Sequence, residues 1–482
     1  MAEPQKTIFI IADHGLAIIY FLQSDVVQIL LEKGVRVVVL TDDGLIDQIQ
    51  KRFGKPGMIV EGLRYKVCQK YANDVKPALQ WWSNFIRRVG TSNRINTEAM
   101  DSHILQVMTE LQGMQRLRIP LARAIISLMR NSRWARRSLV RWQMRFTPGI
   151  YDDLFEKYQP DLVVSSTYGW RHDRYLMRES VKRRIKTGAV IVGWDNPSSY
   201  GIPAAPLDFV TCWSEVQKKE LIDGSDWNPA AVNIGGIPSY DGYFRKEWLI
   251  PRDEYYKMHG LDPKRKLVGY ASSFITFAPN YLNIAGLAKL VAEDALAEPC
   301  QLLIRLHPNH FMDEPLYAAE REHVRQLAQT LPHVHVVEPV ALGGDMGYYS
   351  GEDMPEKTSM MAYSDVFTTV YSTMCVETAI HDRPIVSICI DTPGGWNKSG
   401  KFSLKLSKIG DWPTHQRFRQ AEAGRVAFDA ETLKTLVNHY LADPAYDAEH
   451  RHKFIKDEIT FLDGSAGRRT AEYLYSLLLK NI

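Results

Sequence analysis

The sequence predicts an α/β protein of two domains, each built on an open parallel sheet, that face each other across a cleft, with a helical insertion in the first domain. Three observations predict this class. The chain has 482 residues, more than one ordinary core organises. Short apolar runs alternate with segments of helical spacing along both halves. A strand, a helix and a second strand fill residues 6–40, as at the start of a parallel sheet.

Composition narrows the class of protein further. Hydrophobic residues make up 45% of the chain and charged residues 24%, as in soluble globular proteins. The five cysteines are scattered without a CxxC pair, which argues against a disulfide framework and a structural zinc site and fits a reducing cytosol. No apolar run approaches the roughly 20 residues of a membrane span, and the N-terminal run is too short for a signal peptide. We therefore expect a cytoplasmic protein.

The first predicted domain covers residues 1–248. Its strands are predicted at residues 6–12, 35–40, 161–166, 189–193 and 209–213, with a last strand and turn within 231–244. Helical spacing covers residues 16–33, and residues 75–158 form a mostly helical insertion.

The second predicted domain covers residues 249–450 and begins with a polar helix and a Pro-containing turn. Its strands are predicted at residues 266–271, 301–306, 333–337, 366–370 and 385–390. Residues 451–482 contain a final helix, about 451–479, which we expect to return to the first domain.

The insertion contains a strongly basic segment. Residues 111–150 include no acidic residue and nine arginines, at positions 116, 118, 123, 130, 133, 136, 137, 141 and 145. Apolar residues are interleaved with them, among them Trp134 and Trp142. A basic amphipathic helix suits an anionic membrane surface, although a solvated face of a packed helix has the same pattern. We expect Arg116 to Arg145 to contact the inner face of the cytoplasmic membrane, and no nucleic acid, since no nucleic-acid module accompanies them.

Ligands of open parallel sheets bind beyond the carboxyl ends of the strands, so the residues that follow strands are the candidates for function. After the strand at 366–370, Ser372 and Thr373 begin a helix that contains Glu377. Hydroxyls and backbone N–H groups at a helix N-terminus bind anions, and a carboxylate one turn further on accepts hydrogen bonds from a ribose diol. This pattern predicts a nucleotide phosphate on Ser372 and Thr373 and ribose on Glu377, although a simple N-cap has the same residues.

Two other strand ends in the second domain carry groups for the same anion. Arg305 and His307 flank the end of the strand at 301–306, and Pro308 fixes the following turn. Ser272 and Ser273 follow the strand at 266–271 and offer hydroxyls. We predict donor binding at these five residues, against the alternative of structural turns.

In the first domain, Asp13 and His14 follow the first strand. A neutral imidazole with a pKa near 6.5 suits a general base, and Asp13 would orient it. Asp42 and Asp43 follow the second strand and are rival bases. Turn formation by Asp, His and Gly is the alternative in both places.

A third strand end of the first domain is aromatic and polar. Trp194, Asp195 and Asn196 follow the strand at 189–193. An aromatic surface flanked by polar groups is typical of carbohydrate recognition, so we predict acceptor binding here.

Together these motifs resemble those of GT-B-fold glycosyltransferases, specifically bacterial enzymes of capsule, O-antigen and lipopolysaccharide biosynthesis and the related CDP-alditol phosphotransferases. The segment "SDVFTTVYSTMCVETAIHDRPIV" is similar to their donor-phosphate motif, which places Ser364, Asp365, Ser372 and Thr373 in it. The tail "DGSAGRRTAEYL" is similar to the ending of the same group. The resemblance implies two Rossmann-like domains and a nucleotide-activated donor.

CMP-sialic acid and CMP-Kdo transferases are a second likeness. They carry an acidic pair before glycine, a His-Pro motif and a Ser-Ser/Thr motif, and this chain has Asp42-Asp43-Gly44, His307-Pro308 and Ser372-Thr373 in that order. If this resemblance applies, Asp42 or Asp43 replaces His14 as the base.

The sequence therefore predicts an inverting, metal-independent glycosyltransferase that moves a sugar from a nucleotide donor to a hydroxyl of a cell-surface glycan or a lipid-linked acceptor. No metal is expected, because no Asp-x-Asp pair follows a strand, and no cofactor is expected, since the nucleotide sugar is a substrate. Three alternatives stay open: a CDP-glycerol or CDP-ribitol phosphotransferase, an enzyme of the UDP-GlcNAc 2-epimerase type, and a non-catalytic glycan-binding protein.

Overall fold

The computed structural model describes residues 5–273, 280–313, 315–343, 348–370, 372–392 and 404–479. The chain forms two compact units, residues 5–241 with 459–479 and residues 242–458. Each unit has its own parallel sheet covered by helices. The predicted fold class, a GT-B-like pair of Rossmann-like α/β domains, is confirmed at this level.

The first sheet has seven strands in the order β3-β2-β1-β4-β5-β6-β7, all parallel. They are β1 (Thr7–Ile11), β2 (Arg36–Thr41), β3 (Met58–Gly62), β4 (Leu162–Ser165), β5 (Lys186–Val190), β6 (Phe209–Cys212) and β7 (Val232–Ile234). The central strands β1 and β4 are buried along their whole length, as in a sheet with helices on both sides. The edge strand β3 was not predicted.

The order of strands reverses beside β1, whose two neighbours are β2 and β4. In register, Ile11 lies opposite Leu40 on one side and Ser165 on the other. The chain leaves β1 and β4 at the same edge of the sheet and departs in opposite directions, which creates the crevice where such folds bind ligands.

The helices of the first unit are α1 (Gly15–Ile18), α2 (Asp25–Glu32), α3 (Ile46–Phe53), α4 (Tyr65–Asp74), α5 (Pro77–Val89), α6 (Glu98–Glu110), α7 (Ile119–Asn131), α8 (Arg133–Trp142), α9 (Asp152–Tyr158), α10 (Asp173–Lys182), α11 (Asn196–Ser199) and α12 (Glu215–Ser225). The predicted helical insertion is present as α5 to α9. Helices α5 to α8 share an apolar cluster that includes Phe85, Met108 and Met129.

The predicted helix over residues 16–33 is not continuous. A π-helical turn, Ile19–Gln23, follows α1, and the chain becomes extended at Ser24 before α2 begins. The Ser24 hydroxyl donates to the carbonyl of Tyr20 and accepts from the N–H of Val26 at 3.3 Å, so it ends one segment and caps the next.

The second sheet has six parallel strands in the order β10-β9-β8-β13-β14-β15. They are β8 (Lys266–Ala271), β9 (Cys300–Arg305), β10 (Val334–Val337), β13 (Val366–Thr369), β14 (Ile385–Ile388) and β15 (Arg425–Ala427). Strands β11 (Ala341–Gly343) and β12 (Tyr348–Tyr349) form a separate antiparallel pair. The strand order reverses beside β8, whose two neighbours are β9 and β13. Strands β11, β12 and β15 were not predicted from the sequence.

The helices of the second unit are α14 (Arg252–His259), α15 (Tyr281–Ala292), α16 (Pro315–Thr330), α17 (Met354–Tyr363), α18 (Met374–Ile380), α19 (Leu406–Ile409), α20 (Pro413–Gln420), α21 (Ala430–Ala442) and α22 (Ala448–Ile459), and α13 (Asp241–Arg245) precedes them.

The predicted final helix is two helices, α22 and α23 (Ala466–Leu479). Thr460 and Gly464 both have a positive φ, which a continuous helix does not allow. Helix α23 packs on α2 in the first unit. Its first two amides, of Ala466 and Gly467, donate to the carboxylate of Asp241 at 2.9 and 2.7 Å, so a carboxylate stabilises its N-terminus.

Candidate functional site

Asp13 and His14 lie at the point where β1 leaves the first sheet, beside β4. Asp13 is fully buried and His14 is 8% exposed. The Asp13 carboxylate contacts His14 Nδ1 at 2.6 Å through Oδ1, which also accepts the Ser166 hydroxyl at 2.7 Å. Burial by itself would raise the pKa of Asp13, but the His14 ring, the Arg171 guanidinium and the Ser166 hydroxyl lower it to about 2. The carboxylate is therefore ionised at neutral pH and orients the imidazole.

The second ring nitrogen of His14, Nε2, differs from Nδ1 in its hydrogen bonding. His14 Nε2 is buried and has no hydrogen-bond partner among the residues that the structure describes. Buried polar atoms are nearly always paired, so this nitrogen is placed to make a further hydrogen bond. A carboxylate on Nδ1 and an open Nε2 are the arrangement of a general base.

The rival base residues, Asp42 and Asp43, stabilise the turn after β2. Asp42 Oδ1 accepts the N–H of Gly44 at 2.9 Å and caps the 3-10 turn Asp43–Leu45. Asp43 Oδ2 accepts the N–H of Tyr65 at 3.1 Å. Both carboxylates therefore have local structural hydrogen bonds, which favours His14 over them as the base.

The loop after β4 was missed in the sequence. Residues 166–173 place Ser166 on Asp13, and Arg171 Nη1 donates to the backbone carbonyl of Asp13 at 3.4 Å. Trp170 stacks on Tyr200 with ring centroids 5.5 Å apart. The same rule that selected the other strand ends would have found this loop, because it follows the predicted strand at 161–166.

The His172 ring lies near Tyr65 and stacks on Tyr175. Burial, with Arg174 and Arg171, lowers the pKa of His172 to about 4. The ring is therefore neutral at physiological pH.

The predicted acceptor residues after β5 are mostly internal. Trp194 is 1% exposed and Asn196 is 4% exposed. Asn196 Oδ1 accepts the N–H of Gly193 at 2.6 Å, so this amide closes the turn. Only Asp195 is partly exposed, and burial raises its pKa while a hydrogen bond from Ser199 opposes the shift. The prediction of an aromatic surface at Trp194 is therefore wrong in this structure, and Trp170 with Tyr200 is the partly exposed aromatic pair nearby.

In the second unit, the strand ends predicted to bind the donor lie side by side, because β9, β8 and β13 are neighbours. Ser272 joins two of them: its hydroxyl donates to the carbonyl of Arg305 at 3.1 Å and accepts the N–H of His307 at 2.8 Å. The N–H of Ser273 donates to Asn280 Oδ1 at 3.2 Å. Ser272 is therefore a link between two strand ends rather than an exposed hydroxyl.

Arg305 does not present a guanidinium to a ligand. It is 6% exposed, and its two terminal nitrogens form ion pairs with Asp353 and Glu356. Burial lowers the pKa of Arg305, but Glu356 and Asp353 outweigh it and the net shift is upward. The prediction that Arg305 binds phosphate conflicts with this arrangement, since two carboxylates already match its charge.

His307 is placed as predicted, after β9, and Pro308 begins the 3-10 turn Pro308–Phe311. Burial is the main cause that lowers the pKa of His307 to about 3, with His310, Arg305 and Lys357 adding to it. His307 Nδ1 accepts the N–H of Asn309 at 3.1 Å. A neutral ring that accepts at Nδ1 carries its proton on Nε2, so His307 offers a neutral donor rather than a cation.

Ser372 and Thr373 are half-buried at the start of α18, and Tyr371 lies outside the described residues. The Ser372 hydroxyl accepts the N–H of Met374 at 3.2 Å. Glu377 is 3% exposed and pairs with Lys357 Nζ at 2.5 Å and with the hydroxyl of Tyr243. The prediction that Glu377 binds ribose conflicts with these internal partners.

Lys357 was also missed in the sequence. It lies on α17, pairs with Glu377 and is near enough to His307 to lower the pKa of that ring. No local pattern marks it, because its partners are 20 or more residues away along the chain.

Within the described ranges, no group of three or more His, Cys, Asp or Glu side chains is placed to hold a metal ion. No single described helix has both the length and the apolar character of a membrane span; the bent pair Gly15–Gln23 and Asp25–Glu32 passes on length and composition only.

The fold is shared with solved structures of sugar-nucleotide enzymes. UDP-GlcNAc 2-epimerase from Neisseria meningitidis, bound to UDP-GlcNAc, is 12% identical with a TM-score of 0.54 over 98% of this chain and 100% of that chain. S. aureus MnaA with UDP is 12% identical with a TM-score of 0.54 over 99% of each chain. A glycosyltransferase from Rickettsia africae is 10% identical with a TM-score of 0.51 over 99% of this chain and 100% of that chain.

No protein-family model and no curated protein sequence matches the chain. At the identities above, the similarity to these structures establishes the fold and leaves the reaction open.

Proposed function

We propose that this protein is a nucleotide-sugar-dependent enzyme, specifically an inverting glycosyltransferase without a metal requirement. The observation that carries the proposal is the Asp13–His14 dyad at the strand reversal of the first sheet. It has an ionised carboxylate on Nδ1 and a buried Nε2 that no described residue pairs with. The acceptor would be a hydroxyl of a bacterial cell-surface glycan or of a lipid-linked sugar. The resemblances in the sequence and the shared fold support this substrate class.

In the proposed reaction, His14 Nε2 takes the proton of the acceptor hydroxyl as its oxygen attacks the anomeric carbon. The bond from that carbon to the nucleotide phosphate breaks, and its electron pair stays on the phosphate oxygen. One in-line displacement inverts the anomeric centre. Asp13 stabilises the imidazolium that forms, as a buried carboxylate does in hydrolase triads.

The donor is proposed to bind in the second unit, at the strand reversal beside β8. Its phosphate would accept from His307 Nε2, from the hydroxyls of Ser372 and Thr373 and from backbone N–H groups. Arg305 and Glu377 would act indirectly, since their buried ion pairs fix α17 and α18 beside the strand ends.

The experiment is an assay of nucleotide release from UDP-, CMP-, CDP-, GDP- and TDP-activated sugars, with and without extracted glycan or lipid-linked acceptors, in the presence of EDTA. A transferase releases nucleotide in an acceptor-dependent manner and tolerates EDTA. Release with no dependence on any acceptor would contradict the proposal, and so would complete inhibition by EDTA.

An enzyme of the UDP-GlcNAc 2-epimerase type is the second candidate. It is favoured by the similarity of the fold to a solved UDP-GlcNAc 2-epimerase and to a solved protein bound to UDP. Such an enzyme needs no acceptor. Proton NMR of UDP-GlcNAc with the protein alone distinguishes the two: a new 2-epimer supports the epimerase, and unchanged UDP-GlcNAc with acceptor-dependent release elsewhere supports the transferase.

We further propose that the enzyme binds an anionic bilayer through an arginine–leucine surface on α7, α8 and the 3-10 turn Gly113–Arg118. Leu117 is 75% exposed, Leu121 63% and Trp134 76%. In α7 the opposite face, with Ala122, Ile126 and Met129, already packs on the insertion's core. The helix therefore has two apolar faces, and a surface helix of a soluble protein needs only one.

The charges of this surface fit lipid headgroups. Seven of the nine arginines are exposed, namely Arg116, Arg118, Arg123, Arg133, Arg137, Arg141 and Arg145. The other two are structural: Arg136 forms a bidentate pair with Asp226 at 2.5 and 2.9 Å, and Arg130 pairs with Asp101 at 2.6 Å. Exposed leucines between cations and no acidic residue favour an anionic membrane over a solvated face.

Co-sedimentation with vesicles tests this surface. We expect binding to phosphatidylcholine vesicles that contain phosphatidylserine, little binding to phosphatidylcholine alone, and loss of binding in Leu117→Ser/Leu121→Ser. Leu282→Ser, at a leucine exposed elsewhere, is the control. Equal binding of this control and the double variant would contradict the proposal, as would retention on RNA with none on vesicles.

A further inference from the structure

Five arginines surround the loop that follows β4. Arg87 and Arg88 lie near the end of α5, Arg171 lies on the loop, and Arg174 and Arg178 lie on α10. The positive charges influence one another: burial, with Arg174 and Arg171 acting in the same direction, lowers the pKa of Arg88 to about 10. The cluster therefore concentrates positive charge within the first unit.

Two of these arginines have a structural role and are satisfied by carbonyl oxygens. Arg87 is fully buried and donates to Ile202 O at 2.6 Å and to Gly169 O at 2.8 Å. Arg178 donates to Ala204 O at 3.0 Å. Carbonyl groups satisfy the N–H donors but do not cancel the charge, so both guanidiniums add to the positive potential.

Arg88 and Arg174, by contrast, place their guanidinium groups against aromatic rings. The Arg88 guanidinium lies over the Trp170 ring at 4.5 Å, and its Nε is buried and unpaired within the described part of the chain. Arg174 Nη1 donates to the carbonyl of Arg171 at 2.7 Å, and its guanidinium lies 4.7 Å from the centre of the Tyr175 ring. Across the described residues, neither side chain pairs with a carboxylate.

The carboxylates nearby are already used. Asp13 is bound by His14 and Ser166. Asp173 accepts the Ser165 hydroxyl at 2.9 Å and the N–H of Arg171 at 3.0 Å. In the described part of the chain the carboxylates near these five guanidiniums are Asp13, Asp173 and, beside Tyr200, Asp195. A cluster in which cations outnumber carboxylates is stabilised by an anion.

We propose that Arg88, Arg171 and Arg174 form a subsite for a negatively charged substituent, a carboxylate or a phosphate, of the molecule whose hydroxyl His14 deprotonates. That this molecule is an acceptor sugar rests on the proposed function; that the subsite binds an anion does not. Arg171 connects the two places, since it contacts both the backbone of Asp13 and, at 5.5 Å, the Trp170 ring.

The subsite has a chemical consequence for the acceptor. An anion held by planar guanidinium groups is fixed in orientation as well as position. The partly exposed Trp170 and Tyr200 rings, stacked beside Arg88, offer an apolar surface for the sugar ring that carries the charge. A neutral acceptor would leave Arg88 and Arg174 without a carboxylate or phosphate partner and would bind more weakly.

The test is isothermal titration of the full chain with inorganic phosphate and, separately, with acetate, at constant ionic strength and without donor. We expect saturable binding of at least one anion, weakened by about tenfold or more in Arg88→Gln and in Arg174→Gln. Phosphate binding alone indicates a phosphorylated acceptor, and acetate binding indicates an acidic sugar. Because the proposed donor site would also bind phosphate, the contribution of the subsite is the difference in anion affinity between the wild type and each arginine variant.

Lys182→Gln is the matched control, because Lys182 is an exposed cation on the same helix as Arg174. It should change affinity by less than about twofold, and Arg88→Lys, which keeps the charge, should retain part of the binding. Unchanged anion affinity in both arginine variants, or an equal loss in Lys182→Gln, would overturn the subsite. Acceptor-dependent turnover would survive that outcome, so the two proposals fail separately.

Discussion

The strand ends of the two sheets differ in how their charged and polar side chains are paired. Where β1 and β4 leave the first sheet, the His14 ring keeps a buried nitrogen unpaired and Arg88 has no carboxylate partner among the described residues. Where β8, β9 and β13 leave the second sheet, the buried charges are matched: Arg305 by Asp353 and Glu356, and Lys357 by Glu377.

The difference supports the proposed division of roles between acceptor chemistry in the first unit and donor binding in the second. An unpaired base and uncompensated cations suit a place where protons move and a charged substrate arrives. Paired charges, with a neutral imidazole at His307 and hydroxyls at Ser372 and Thr373, suit a rigid surface that binds without taking part in the chemistry.

The largest effect should come from the base. His14→Gln should lower acceptor-dependent turnover by about 10²- to 10⁴-fold, because the hydroxyl loses its proton acceptor. Turnover at saturating donor is the measurement. His323→Gln, an exposed histidine on α16, should leave turnover within about twofold of wild type; activity of His14→Gln close to that of this control would move the base elsewhere.

The second effect concerns stability at the donor-side strand ends. Arg305→Met leaves Asp353 and Glu356 buried without their cation, which should cost about 3–5 kcal/mol in the free energy of unfolding. Urea denaturation measures it. Arg325→Met, which breaks the partly exposed pair with Glu338, should cost less than about 1 kcal/mol. Equal losses in the two variants would show that burial adds nothing to the contribution of the Arg305 ion pairs.

The third effect is a pH dependence of stability, which a histidine in each of the two units should cause. The folded-state pKa is about 4 for His172 and about 3 for His307, below the unfolded value near 6.5. Between pH 6.5 and pH 4 the unfolded chain binds protons that the folded chain does not, so stability should fall as the pH falls, by up to about 1.4 kcal/mol per pH unit for each ring.

His172→Gln and His307→Gln should each flatten this pH dependence, measured as the midpoint of thermal unfolding from pH 7 to pH 4. A variant that keeps the wild-type slope would show that its ring takes up a proton in the folded protein at the same pH as in the unfolded chain, which would contradict the lowered pKa.

Much of the fold followed from local pattern. The buried strands β1, β2, β8 and β9 are continuous apolar runs, and the sequence predicted each within a residue or two. Two of the strands it missed, β3 and β15, lie at the edges of the parallel sheets, where half-exposed residues such as Glu61 and Arg425 weaken the apolar signal. The break between α22 and α23 was missed because helical spacing continues on both sides of it.

The candidate site was less predictable, because its properties depend on partners far along the chain. Strand ends are visible in the sequence, and Asp13, His14 and His307 were found in this way. The partners of Arg305 are 48 and 51 residues away, and Trp194 is buried by packing that no local pattern encodes. Whether a side chain is open to a ligand or bound internally is decided by these distant contacts.

The central claim is that His307 in the second unit binds the nucleotide whereas His14 in the first unit does not. The most direct test is calorimetric titration of UDP, CMP, CDP, GDP and TDP into wild type, His14→Gln and His307→Ala. The account predicts that one nucleotide binds wild type, that His307→Ala weakens it by about tenfold, and that His14→Gln stays within about twofold. Absence of binding by every nucleotide, or an equal loss in both variants, would contradict it.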